Sequence, residues 1–166
     1  MRVIFSMVLV LLISCSESEQ TSPFTGDETT YSLIQASTYK VTGSVTFKER
    51  KDGATTVLVN LSGTDGDVKH PVHLHLGDVS TPAADVAALL NPVYGKTGKS
   101  ETILSQLADE SVITYSSLIK LSACLKVHLS DTGAERDIIL AAGNIGDAAA
   151  SSLTNGRAGI APCKSE

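Results

Sequence analysis

The sequence predicts an all-β domain, an antiparallel sandwich or barrel with a short helical insertion, and three observations predict it. Tyr39, Val41, Val45 and Phe47 alternate with Lys40, Thr42, Ser44, Thr46 and Lys48, the period-two pattern of a half-buried strand. Asp52-Gly53 follows, a dipeptide that supplies positive φ for a tight hairpin, and the return strand turns Val57, Val59 and Leu61 inward and Leu58 and Asn60 outward. Downstream, short apolar runs separated by Gly-, Asp- and Ser-rich turns bring the strand count to six or seven.

The chain begins with a different kind of segment. Arg2 precedes an apolar run over residues 3–13 that is short for a membrane span and reads as a secretory leader. It ends in Leu12-Ile13-Ser14-Cys15, which resembles the processing motif of bacterial lipoproteins. The resemblance implies cleavage of residues 1–14 and acylation of Cys15. Residues 15–29 are polar and acidic without apolar periodicity and read as a flexible tether. Ser16 stands where enterobacterial lipoproteins retained at the inner membrane carry Asp, so the expected location is the bacterial cell envelope, at the outer membrane, either periplasmic face or surface. The formal net charge is −5 before Arg2 leaves with the leader. An acidic chain without a basic cluster argues against nucleic acid and against electrostatic docking on anionic lipid. The expected membrane link is the lipid alone.

Residues 30–147 carry the ordered pattern and are read as one domain. Residues 31–36 form a short strand candidate, and residues 62–67 a polar, glycine-rich loop without the later Glu of a calcium hand. In the segment His70-Pro71-Val72-His73-Leu74-His75-Leu76, Pro71 lacks an N–H, so the strand is expected to begin after it or to lie at an edge, with His70 in the turn leading in. Ala83 to Leu90 has helical spacing at Val86, Leu89 and Leu90 and a stop at Asn91-Pro92, which predicts the helical insertion. Gly98-Lys99-Ser100 looks like part of a phosphate loop, but Gly95 lies too near and no helix-forming run follows. Residues 112–119 are a short connecting segment, residues 123–128 a strand, and residues 138–146 a buried strand. Residues 148–166, small and polar, read as a surface tail.

The chemistry concentrates in four histidines, three of which, His70, His73 and His75, fall in the same run. Residues two apart on a strand share a face, so His73 and His75 point together, and a neighbouring strand ending in Val127-His128 could bring His128 to them. Three imidazoles with an open position suit zinc or copper. His70 has the opposite parity and ranks fourth as a ligand. The competing reading is a hydrogen-bonded structural cluster lining a polar pocket. Met1 and Met7 leave with the leader, so no thioether ligand is available. Cys124 and Cys163 are the remaining cysteines, either joined in a disulfide suited to an oxidising compartment or two separate thiols.

The His-x-His run after a hairpin, the later Val127-His128 and a last strand closing in Gly143-Asn144-Ile145-Gly146 resemble the CHRD domain, a module named for its repeats in chordin. The resemblance spans about residues 30 to 147 and places His73, His75 and His128 on the motif positions. It departs at Cys124-Leu125-Lys126 and at Asp137-Ile138-Ile139-Leu140-Ala141. It implies an immunoglobulin-like fold in a secreted or lipid-anchored protein of no settled activity. A weaker resemblance is to copper/zinc superoxide dismutase, also an antiparallel β sandwich or barrel with His-x-His and a later Val-His as copper ligands. No histidine lies between His75 and His128 to serve as bridging or zinc ligand. The first functional expectation is therefore a lipid-anchored binding or structural module without catalysis, with a protein or glycan partner that the sequence does not name. The alternatives are a copper- or zinc-binding protein and, less favoured, a dismutase-like enzyme. Gly-x-Ser-x-Gly and Cys-x-x-Cys are absent from the sequence, which disfavours hydrolase and disulfide-exchange chemistry.

Overall fold

A computed structural model of the chain describes residues 21–82, 84–155 and 160–161. Eight strands, β1 (Phe24–Gln35), β2 (Thr42–Arg50), β3 (Thr55–Ser62), β4 (Lys69–Leu76), β5 (Val86–Tyr94), β6 (Lys99–Leu104), β7 (Ala123–His128) and β8 (Ile139–Ile145), are accompanied by the short helices α1 (Tyr115–Leu118) and α2 (Gly146–Asn155). All strand neighbours are antiparallel, and the order β1-β2-β3-β6-β5-β4-β7-β8 closes into a barrel. Two seams are sparse. β1 meets β8 through Ile34↔Ala142 and Gln35↔Ala141, and β5 meets β6 through Tyr94↔Lys99. The barrel is thus two four-stranded halves, β1-β2-β3-β6 and β5-β4-β7-β8.

The alternation read from the sequence governs the interior. Val45 and Phe47 of β2, Val57, Val59 and Leu61 of β3, Val72 and Leu74 of β4, and Leu125 and Val127 of β7 belong to one buried cluster. The Asp52-Gly53 hairpin forms as expected, with Gly53 at φ 87° and Asp52 clamped by Arg50. A second cluster of Val79, Cys124, Ile139 and Ala142 is distinct from this interior. Cys124 has the opposite parity to Leu125 on β7, so this cluster lies on the outer side of that half, where the β4–β5 connection folds back.

Several expectations need correction. Of the helix expected over residues 83–90, the described residues 84–90 are not helical, because Val86 to Tyr94 pair with β4 as strand β5, and ladder bonds to a central strand outweigh a weak local helical preference. The burial of β5 is irregular because its register against β4 shifts twice, which is why its sequence lacks clean alternation. The first shift explains Pro71 as well. His70 pairs with Val93 and Val72 with Leu90, so Pro71 faces Asn91 and Pro92 in a bulge where ladder N–H groups are not needed. β4 therefore starts at Lys69 and sits between β5 and β7, and neither begins after Pro71 nor lies at an edge.

Residues 24–29 are not tether but the start of β1. They are carried on the long β2 by the Glu28–Lys48 ion pair (2.8 Å) and a Thr25–Glu49 hydrogen bond (2.8 Å), and they are too exposed to show apolar periodicity. β6 was not anticipated as a strand. The tail begins as α2, whose Ala148 is buried, and the run Asp147-Ala148-Ala149-Ala150 is its propensity signal.

Candidate metal centre

β4 and β7 are neighbours, with His73 opposite Lys126 and His75 opposite Cys124. His128 lies two residues beyond Lys126 on the same face, which makes it the diagonal neighbour of His73. Because Val72, Leu74, Leu125 and Val127 fill the interior, these histidines stand on the outer face of their half of the barrel. The ring centroids of His73 and His128 are 4.6 Å apart, those of His73 and His75 5.8 Å, and those of His75 and His128 6.4 Å. One ligand nitrogen from each lies within 4.8 Å of the others. Metal–nitrogen bonds of about 2.0–2.1 Å put tetrahedral ligand nitrogens roughly 3.3 Å apart, so an ion would require the three nitrogens to draw closer than they stand here.

Two carbonyls fix the rings. His75 Nδ1 donates to the Ala84 carbonyl (3.0 Å) and His128 Nδ1 to the Arg136 carbonyl (2.8 Å). A carbonyl only accepts, so each Nδ1 carries the hydrogen and Nε2 holds the lone pair, the arrangement that orients a metal-ligating histidine. Both carbonyls are placed by connecting segments. The β4–β5 connection is tied down by Leu76 N–H to Asp85 O (3.0 Å), Gly77 N–H to Ser122 O (2.8 Å) and Val79 N–H to Asn144 Oδ1 (2.7 Å). The β7–β8 connection turns through a short 3-10 segment, Gly133–Asp137, that presents Arg136.

His75 and His128 are buried and His73 is half-buried. Burial is the first cause that pushes the His73 pKa down from 6.5 to about 4, with His128, His75 and Arg136 adding repulsion. Burial also lowers His75 and His128 against the opposing hydrogen bonds to Ala84 and Arg136, with Lys126 contributing to both shifts. At neutral pH the cluster is therefore three uncharged imidazoles, the protonation state a metal requires.

The same shifts carry a sign for stability in the metal-free domain. A histidine whose folded pKa lies below its unfolded value stabilises fully above about 6.5 and loses that contribution as pH falls toward 4, because the unfolded chain then binds the extra protons. Asp52, Asp67, Asp78 and Asp109, lowered from 3.8 by hydrogen bonds, act only at more acid pH. In chelator, the urea midpoint is expected to drop between about pH 7 and about pH 4.5. A flat profile there would contradict the neutral cluster.

Of the residues singled out from the sequence, His73, His75 and His128 come together. His70 does not: it is buried, and its Nδ1 donates to the Leu129 carbonyl (3.1 Å) beside the root of the β7–β8 connection. Cys124 is buried in the second cluster, while Cys163 and Cys15 lie outside the described residues, and with them the expected bridge and lipid site. Lys126 and Arg136, cations that act on the clustered histidines, were missed. Lys126 was legible, since it has the parity of His128 inside an otherwise apolar strand. Arg136 lies in a loop whose path the sequence does not give.

Fold and site together define an antiparallel β-barrel domain with a three-imidazole cluster on the outer face of one half. No family model, curated protein or solved structure matches the chain.

Proposed function

We propose that this domain binds one copper or zinc ion through His73, His75 and His128. The observation that carries the reading is the convergence of three ligand nitrogens, two of them on rings locked through Nδ1 by backbone carbonyls. Nitrogen-only donors suit Cu(II) and Zn(II), and the general affinity order for divalent ions favours Cu(II). The half-exposed His73 leaves an approach for an exogenous fourth ligand. We further propose that the domain is a CHRD-like module, its two four-stranded halves forming an immunoglobulin-like sandwich, and that a lipid on Cys15 anchors it in the bacterial envelope. The leader, the Leu-Ile-Ser-Cys run and the sparse seams support this.

A second reading makes the histidines structural and the partner a protein or glycan. It is favoured by the burial and hydrogen bonding of His75 and His128, which a packing role would also produce.

The test is metal content of the purified chain, made without a histidine tag and titrated with Cu(II), Cu(I) and Zn(II). One ion per chain, lost in the variant with His73, His75 and His128 all changed to alanine, is the expected result. A copper-loaded chain then goes to a superoxide assay. A parent that takes up no ion above background overturns the metal reading and leaves the structural one.

A further inference from the structure

Lys126 has no role in ligating a metal, yet it is fully buried in the middle of β7, on the same face as His128 and directly opposite His73. Its Nζ donates to the Ala161 carbonyl (2.7 Å), and Ala161 N–H donates to the Val79 carbonyl (2.7 Å), so a stretch of the C-terminal segment is sewn between β7 and the β4–β5 connection. The Ala161 carbonyl is a neutral partner. The ion pairs among the described residues use Lys48, Arg50 and Lys96, and none takes Lys126. Burying an ammonium without a carboxylate is unfavourable, and a methionine would fill the same space without that penalty.

We infer that Lys126, with Arg136, shifts the three-histidine site toward Cu(I) relative to Cu(II). The inference rests on the reading that the cluster binds copper. The ligands are neutral imidazoles, and among the described residues the cluster holds no thiolate or carboxylate to offset the second charge of a divalent ion. Lys126 acts electrostatically on His75 and His128, and Arg136 on His73 and His128, so each ligand faces at least one cation. Asp137, which acts on His128, is an opposing charge among the described residues. Cu(II) differs from Cu(I) by one unit of charge, and a fixed cation within about 10 Å in a protein-like dielectric shifts the ratio of their affinities by about tenfold. Reduction adds one electron from an external donor to the copper and leaves the imidazoles in their protonation state.

The experiment compares the copper-loaded full chain with its Lys126→Met, Lys126→Arg and Arg136→Gln variants, by competition with Cu(I)- and Cu(II)-specific chelators and by spectroelectrochemical potential. Lys126→Met is expected to raise Cu(II) affinity relative to Cu(I) by about tenfold, a fall in potential of about 59 mV. Lys126→Arg is expected to stay within about twofold of the parent, and Arg136→Gln to move in the same direction as Lys126→Met. Arg136 is partly exposed and holds His128 through its backbone carbonyl, so its variant keeps that bond and decides the matter if Lys126→Met fails to fold. An unchanged Cu(I) to Cu(II) ratio in the folded variants overturns the inference while leaving the copper site standing. A parent that binds no copper overturns both.

Discussion

Changing His75 to alanine is expected to lower copper or zinc affinity by more than about a hundredfold. Loss of an outer-shell partner alone costs about 10- to 100-fold, and here a ligand itself is removed. The ring is fully buried, so the metal-free domain is also expected to lose about 2 kcal/mol, through the cavity and the unpaired Ala84 carbonyl. His70→Ala separates the two effects. That ring is likewise buried and bonded to a carbonyl, that of Leu129, but it stands outside the cluster. Its variant should lose a similar amount of stability and keep the metal affinity of the parent. Metal competition titrations and urea unfolding of the two variants check this, and equal loss of affinity in both would remove His75 from the ligand set.

Changing Gly143 to valine is expected to destabilise the barrel by roughly 3 kcal/mol or more, the range of severe backbone and packing defects. Gly143 lies on β8 opposite Leu125, and a Cβ there would run into the Ser32 carbonyl of β1 and come within 3.1 Å of Leu33 Cδ2. The Ser32 carbonyl is backbone and cannot retreat without opening the β1–β8 seam, which two register pairs and the Ala36 N–H to Leu140 O bond hold. In an ordinary strand, replacing glycine stabilises by about 0.5–1 kcal/mol. The sign of the change therefore tests the close approach, read as the urea midpoint and as amide exchange along β1. A variant as stable as the parent would mean that β1 is not seated on β8 at this point.

The β2–β3 hairpin was legible because two local rules agreed there: alternation set the faces and Asp52-Gly53 set the turn. The histidine cluster was legible for the same reason, since parity alone puts His73 with His75 and gives His128 a matching face. The segment Val86 to Tyr94 was not. Its alanine-rich stretch has a helical spacing, and only pairing with β4 through two register shifts makes it a strand. The start of β1 was lost because its outer residues are exposed and leave no apolar trace.

By itself the sequence determined an all-β domain with His73 and His75 on one strand face, because side-chain parity along a strand is a local property. The closure of the barrel, the pairing of β4 with β7, the carbonyls of Ala84 and Arg136 behind the rings and the placement of Lys126 beside them were decided by tertiary structure. Those features depend on which strands meet and how two connections fold back, and residues far apart in sequence settle both only when the chain packs.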